Sequence, residues 1–343
     1  MSLRILRPGL LTTVQDRGRH GLQHIGVVPC GAMDPVALEL ANGLVGNDAG
    51  EAALEITLLG PEIAFDRDAL VALCGAEMDA RLNGAGKDAQ PSGARMPANR
   101  PVFVEKGSVL HMRGTTLGSR AYLAVAGGIA LPPVLGSRST CLAATFGGLE
   151  GRQLRAGDTL PLDSKVEILS RSRFANLHGR KDDRSGIRTV SWSAPALTLP
   201  AREPILIHAM EGRHHALFDA AARRAFFEAT WKVTPDSNRM GFRLAGPVLA
   251  RGEAGEILSE PACLGTVQVP SNGLPIALMA DHQTTGGYPK IAEIATADAP
   301  RLAQLAPGGT VRFARCTLEQ AGDLRRALRQ RVAAALRSLA WSY

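Results

Sequence analysis

The sequence predicts a mainly β protein with a few helices, folded as two tandem β domains. Three observations carry this expectation. Short apolar runs at 63–65, 70–74, 102–105, 109–113 and 121–126 are separated by glycine and asparagine turns, the pattern of brief strands. The chain holds 37 glycines and 21 prolines against 4% aromatics, which suits many turns better than long helices. Features of the first half also return in the second. Gly60-Pro61 is echoed by Gly246-Pro247, and Ala156-Gly157-Asp158-Thr159-Leu160 by Pro307-Gly308-Gly309-Thr310-Val311. At 343 residues the chain exceeds what one core usually organises.

The elements follow in order. Residues 10–28 are polar and glycine-punctuated, with Gln15, Asp16 and Arg19 at an expected strand end and turn. Gly31-Ala32-Met33-Asp34-Pro35 is a helix start: Asp34 can cap, and Pro35 suits the first helical position. Val36, Leu40 and Leu44 share a face before Gly46 ends the helix. A strand is expected at 54–58, and the stretch 84–99, rich in Gly, Ala, Pro and Ser, as a mobile loop. Gly136-Ser137-Arg138-Ser139-Thr140 forms a second polar loop. The first β domain is expected over 1–170 and a polar, basic linker over 171–203. The second β domain, 204–316, opens with a strand at 204–208 and a helix around 215–227. In the tail, 317–343, Leu324, Leu328, Val332 and Leu336 recur every four residues with five arginines on other faces, an amphipathic helix. Packing on its own domain is preferred over lying on a membrane.

Composition excludes several classes. The formal charge of +7 comes from 39 basic and 32 acidic residues without a Lys/Arg-rich run, so nucleic acid is not an expected partner. Five widely spaced cysteines with no C-x-x-C pair point away from a disulfide framework or zinc site and towards a reducing compartment. No run of 18 apolar residues exists, and a cytoplasmic protein with no membrane span is expected. A Walker loop is absent, because the only Gly-Lys pair, Gly86-Lys87, is followed by Asp88. No G-x-S-x-G is present either. His208, His214 and His215 lack a carboxylate spacing for metal, and a helix-terminal histidine pair facing solvent is expected instead.

The richest stretch is Asp281-His282-Gln283-Thr284-Thr285-Gly286-Gly287-Tyr288-Pro289-Lys290, between two apolar runs that both read as strands. Gly286-Gly287 permits close approach of a ligand to the main chain, and Pro289 stiffens the exit. A polar binding loop and a long turn that satisfies its own backbone both fit these residue types. Asp281, Lys290 and Gln283 are the candidates for catalysis, with Asp281 and Lys290 expected as a pair that orients substrate. Candidates for substrate binding are Gln15, Asp16, Arg19, Arg138, Arg239, Thr284, Thr285, Gly286, Gly287 and Tyr288. Guanidinium forks match carboxylate or phosphate oxygens, so the arginines are expected to take an anionic group, with these loops bordering one cleft.

Six motifs appear in order: Gln15-Asp16-x-Gly18-Arg19, Gly31-Ala32-Met33-Asp34, Leu40-Ala41-Asn42, Gly136-Ser137-Arg138-Ser139-Thr140, Arg239-Met240-Gly241-Phe242-Arg243-Leu244 and Gln283-Thr284-Thr285-Gly286-Gly287-Tyr288-Pro289. Together they resemble the biotin-dependent carboxyltransferase family of the KipA type, which includes allophanate hydrolase subunit 2, urea amidolyase-related proteins and the 5-oxoprolinase C subunits. The chain departs from that pattern at Met210-Glu211-Gly212 and in its C-terminal helix. The resemblance implies a pair of cyclophilin-like β barrels. It also implies a hetero-oligomer with two further chains, the KipI-like 5-oxoprolinase B subunit and the LamB/YcsF-type A subunit. The activity it implies first is ATP-dependent opening of 5-oxo-L-proline to L-glutamate, with ATP bound by the complex and not by a motif in this chain. The alternatives are carboxyl transfer from carboxybiotin to urea or a similar amide, with biotin on a partner, and a non-enzymatic antagonist of a kinase-inhibitor protein.

Overall fold

The computed structural model describes residues 2–83, 93–178, 180–181, 187–200, 203–250 and 257–340. Part of the expected mobile loop (84–92), the Gly86-Lys87 pair and part of the expected linker lie outside the described residues. The fold is mainly β with five α-helices among the described residues, and the chain divides into two compact units.

The first unit takes in residues 2–18, 34–199 and 332–340. Its strands are β1 (Ser2–Arg7), β2 (Leu11–Gln15), β3 (Ala53–Thr57), β4 (Glu62–Phe65), β5 (Ala69–Asn83), β6 (Ala94–Arg95), β7 (Pro101–Val104), β8 (Val109–Val125), β9 (Thr159–Pro161), β10 (Arg180–Lys181) and β11 (Arg188–Thr189). They form one 11-stranded sheet in the order β10-β11-β7-β5-β8-β4-β1-β9, with β3 bridging β8 to β2 and β6 beside β5. The two runs expected at 109–113 and 121–126 are one strand, β8, which follows β5 through a ladder with register shifts near Gly75, Glu77 and Met78. Gly75 sits at φ +90°, and a Cβ there would stand 2.5 Å from the Arg120 carbonyl oxygen, so only glycine lets the ladder bend at this point. Leu54, Ile56, Ile63, Phe65, Val71, Leu73, Leu123 and Val125 fill the core at the period-two spacing of strands.

Helix α1 (Pro35–Leu44) starts where the sequence says, because Asp34 Oδ1 accepts from the Ala37 amide at 3.0 Å. Asp34 Oδ2 accepts from Thr198 Oγ1 at 2.6 Å, and its amide donates to Tyr122 Oη at 2.8 Å. That phenol donates in turn to Glu55 at 2.7 Å. The described residues of the expected linker as far as Leu199 belong to this unit. Helix α2 (Val166–Asn176) buries Val166, Ser170 and Phe174, and β11 pairs with β7. Few apolar residues suffice because Phe174 packs on Phe103 and Arg188 lies over both rings.

The second unit takes in residues 19–33 and 200–331. It contains β12 (Ile205–Glu211), a 3-10 turn (His215–Leu217), α3 (Ala220–Glu228), β13 (Trp231–Val233), β14 (Gly241–Ala245), β15 (Glu260–Pro261), β16 (Thr266–Gln268), β17 (Ile276–Leu278), β18 (Thr285–Gly286), β19 (Lys290–Ile294), α4 (Ala299–Ala303) and β20 (Thr310–Arg315). Seven strands close a barrel in the order β12-β19-β16-β17-β14-β13-β20, sealed by the parallel pairing of β20 with β12. Phe226 of α3 stacks on Phe313 at 4.6 Å inside it, and Trp231 Nε1 donates to the Phe226 carbonyl. The expected helix at 215–227 is therefore a 3-10 turn followed by α3, broken so that Asp219 can cap α3 through the Ala222 amide.

The tail is α5 (Leu318–Ala340), opened by a reciprocal cap in which Thr317 Oγ1 accepts from the Gln320 amide and Gln320 Oε1 from the Thr317 amide. Its arginines 325, 326, 329, 331 and 337 are exposed, while Val332, Ala335 and Leu339 are buried. Leu336 and Leu339 lie against Gly43 of α1, where an added Cβ would come within 2.4 Å of Leu336. No helix of the described residues is long and apolar enough to cross a membrane.

Candidate functional site

The connection from β17 to β19 skips a strand, since β16 lies between them in the barrel. It must therefore be longer than a hairpin, and its start continues the β14–β17 ladder. The Met279 amide donates to the Met240 carbonyl, and the Asp281 amide to the Arg239 carbonyl at 2.9 Å. That backbone pairing sets Arg239 and Asp281 side by side. Arg239 Nε donates to Asp281 Oδ2 at 2.9 Å and Arg239 Nη2 to Oδ1 at 2.8 Å, a bidentate pair with both side chains 3% exposed. Nη2 also donates to the Gly31 carbonyl at 2.6 Å, tying the loop to segment 19–33 of the same unit. Arg19, on that segment, is likewise buried.

Lys290, at the other end of the loop, is 4% exposed. Its ammonium donates to Glu260 Oε1 at 2.8 Å and to the Pro261 carbonyl at 2.5 Å. An ammonium has three N–H donors, so one has no partner among the described residues. The Lys290 hydrogen bond holds the Glu260 carboxyl below its ordinary value of 4.5, with Arg213 and His214 adding to it. His214 closes the group: its Nδ1 accepts from the Lys290 amide at 3.2 Å and its Nε2 lies 3.5 Å from Glu260.

The middle of the loop is pinned by a short ribbon, β15 against β18, with Glu260 opposite Gly286 and Pro261 opposite Thr285. Gln268 stands opposite Lys290 across the β16–β19 ladder, so the two side chains share a face. Gln268 Oε1 accepts from Gln283 Nε2 at 3.2 Å, whereas the buried Gln268 Nε2 has no partner among the described residues. A Cβ at Gly286 would lie 2.5 Å from that nitrogen, so a larger residue there would push the Gln268 amide aside. Burial holds the His282 imidazole below its ordinary value, with Nδ1 bound to the Gln283 carbonyl at 2.7 Å. Thr284 and Gly287 are half-buried, and Thr285 and Tyr288 are exposed. Further along β19, burial raises the Glu293 carboxyl above 4.5, although Thr266 Oγ1 donates to it at 2.8 Å. Among the described residues no group of three or more His, Cys, Asp or Glu is arranged to hold a metal ion.

In the first unit, Asp16 is a fastener. Its Oδ1 accepts from the Gly18 amide and from the hydroxyls of Ser137 and Ser139 at 2.6–2.7 Å, and its Oδ2 accepts from the Arg138 amide at 2.5 Å. These bonds fix loop 136–140 to the end of β2. Gln15 is fully buried and donates to Thr13 Oγ1 and the Thr140 carbonyl. The Arg138 guanidinium is held by the Leu131 carbonyl at 2.7 Å and Glu51 at 3.1 Å.

The family model described as "Carboxyltransferase domain, subdomain A and B" matches residues 25–315. The chain belongs to this carboxyltransferase family. It is 43% identical to the 5-oxoprolinase C subunit of Escherichia coli over 320 residues, 93% of each chain. It is 36% identical to the 5-oxoprolinase C subunit of Haemophilus influenzae, covering 92% of this chain and 91% of that one. Among solved structures it is similar to the K. lactis urea amidolyase, with TM-score 0.82 and 32% identity over 97% of this chain but only 20% of that one.

Several expectations for this carboxyltransferase domain are corrected by the geometry. Asp281 does not pair with Lys290: it pairs with Arg239, and Lys290 with Glu260, because the ladder registers bring those residues together. Arg239, its charge met by a buried carboxylate, is not presented to an anionic ligand. His214 and His215 do not face solvent, since each binds the β19 backbone. The candidate residues divide by unit, with Gln15, Asp16 and Arg138 in the first and Arg19, Arg239 and 281–290 in the second. Sequence reasoning missed Glu260, His214, Gln268, Thr266 and Glu293. The alternation of Thr266 with Gln268, and of Lys290 with Glu293 past a bulge, was the available signal.

Proposed function

We propose that this chain is the C subunit of an ATP-dependent 5-oxoprolinase, working with A and B subunits to open 5-oxo-L-proline to L-glutamate. The observation that carries the reading is the end-to-end likeness to the Escherichia coli 5-oxoprolinase C subunit, 43% identity over 93% of both chains. The site supports it chemically. A lactam resists water until its oxygen is made a better electron sink. ATP is the co-substrate: its terminal phosphoryl group moves to the ring carbonyl oxygen with ADP as the leaving group, which makes the carbon electrophilic. Water then adds, the C–N bond breaks with the nitrogen taking up a proton, and a second water releases phosphate from the acyl phosphate to leave glutamate. The third Lys290 N–H and the unpartnered Gln268 Nε2 are buried donors on one face, which suits an oxygen whose negative charge grows. Glu260 and His214 position Lys290, and the Arg239–Asp281 pair holds the loop start.

A second reading, carboxyl transfer from carboxybiotin to urea or a similar amide, is favoured by the TM-score of 0.82 to urea amidolyase. Biotin would then be held on a partner, and the same two donors would face an amide or ureido oxygen.

The test is co-expression with the KipI-like B and LamB/YcsF-type A subunits, followed by assay of ATP-dependent glutamate release from 5-oxoproline. Release that depends on all three chains is the expected result. A stable complex that releases none but carboxylates urea replaces the first reading with the second.

A further inference from the structure

The second unit contains a cavity of about 500 Å³ that none of the residues discussed above as the candidate site lines, His215 being its link to β19. One wall is α3. Ala220, Arg223, Arg224 and Phe227 stand at i, i+3, i+4 and i+7, so they share one helical face. The opposite wall is Glu211 at the end of β12 and Arg315 at the end of β20. Arg315 is fixed: it binds Glu211 at 2.6 Å and lies over the Phe227 ring at 4.5 Å. His215, 7% exposed, forms the floor. Its Nδ1 is 3.1 Å from the Ile291 carbonyl, and a carbonyl oxygen only accepts, so Nδ1 carries a proton. Nε2 lies 3.4 Å from Glu211.

Charge decides what fits. Three guanidiniums face two carboxylates, Glu211 and Glu228, and Glu211 is already engaged by Arg315. The side chains of Arg223 and Arg224 have no partner among the described residues. Neighbouring guanidiniums without counter-ions repel, and a bidentate oxyanion relieves that repulsion with charge-assisted hydrogen bonds.

We propose that this cavity is a second ligand site, which binds a small oxyanion of two or more negative charges between Arg223, Arg224 and Arg315, above His215. Phosphate and dicarboxylates share that chemistry, and the volume admits either. The site is independent of the proposed activity, and its test does not use turnover.

The experiment is calorimetric titration of the full chain with inorganic phosphate and, separately, with glutarate, alongside NMR of the His215 ring. Binding with a Kd on the order of 1 mM and a moving His215 signal is expected for at least one of them. The Arg223→Gln/Arg224→Gln double variant changes one half-buried and one exposed side chain on a helix and should weaken binding at least about tenfold. Lys290→Met should leave it unchanged. Phosphate alone binding identifies a tetrahedral ligand, and glutarate alone a dicarboxylate. No binding of either, full binding by the double variant, or loss in Lys290→Met overturns the proposal.

Discussion

Arg239 and Asp281 are held against each other as a buried bidentate pair, and on the proposed reading they fix the loop while Lys290 is the charge that acts. Asp281→Asn would strand a buried guanidinium, at a cost of about 3–5 kcal/mol. Urea denaturation should show that loss, and Arg239→Gln/Asp281→Asn should recover part of it because no bare charge remains. Lys290→Met should lower glutamate release by the complex about a hundredfold while the chain stays folded. The two carboxylates beside it should respond to pH with opposite signs. Lys290 lowers Glu260 below 4.5, so its stabilisation is present above the unfolded value and is lost as pH falls through the folded one. Burial raises Glu293 above 4.5, so its contribution is present below the unfolded value and is lost as pH rises through the folded one. Glu260→Gln should therefore be less stable than the parent at neutral pH and converge with it in acid. Glu293→Gln should gain on the parent as pH rises from acid to neutral. Thermal melts across that range check both, and equal pH profiles for the two variants would contradict the assignment. Sequence reasoning picked out Asp281, Arg239 and Lys290 but mispaired them. Their true partners stand 42 and 30 positions away, distances that only strand register resolves.

At the scale of elements, local signals were legible and ladders were not. The start of α1 could be read because an Asp-Pro cap is written within four residues, and the structure uses it as such. The strand β8 could not, because its polar middle at 114–120 breaks the apolar pattern while the ladder to β5 continues through bulges. Helix α2 escaped notice for a similar reason: its buried face is three residues in eleven. The bend between β5 and β8 is where this matters energetically. Gly75→Ala demands a left-handed conformation and a Cβ 2.5 Å from the Arg120 carbonyl oxygen. A loss of more than about 1 kcal/mol is expected, whereas replacing the nearby exposed Thr116 with Ala should stay within about 0.5 kcal/mol. Denaturant midpoints of the two variants separate a bend that needs glycine from a tolerant surface.

For the whole molecule, segment 19–33 belongs to the second unit although its neighbours in sequence belong to the first. No composition shift marks that exchange. It rests on single contacts such as Arg239 with the Gly31 carbonyl and on Met33 in the barrel core. The chemistry of the whole points outward in the same way. The chain offers donors for an oxygen and a positioned ammonium, but its sequence carries no phosphate-cradling loop and no biotin attachment site. The isolated chain is therefore expected to hydrolyse no ATP and release no glutamate from 5-oxoproline. Mixed with the proposed KipI-like B subunit, it should elute as a larger species by gel filtration with light scattering, at a mass that fits both chains. Adding the third chain should then restore ATP-dependent turnover, with Lys290→Met assembling normally but turning over poorly. Full turnover by the single purified chain would defeat this, because every missing group would then have to lie within the chain itself.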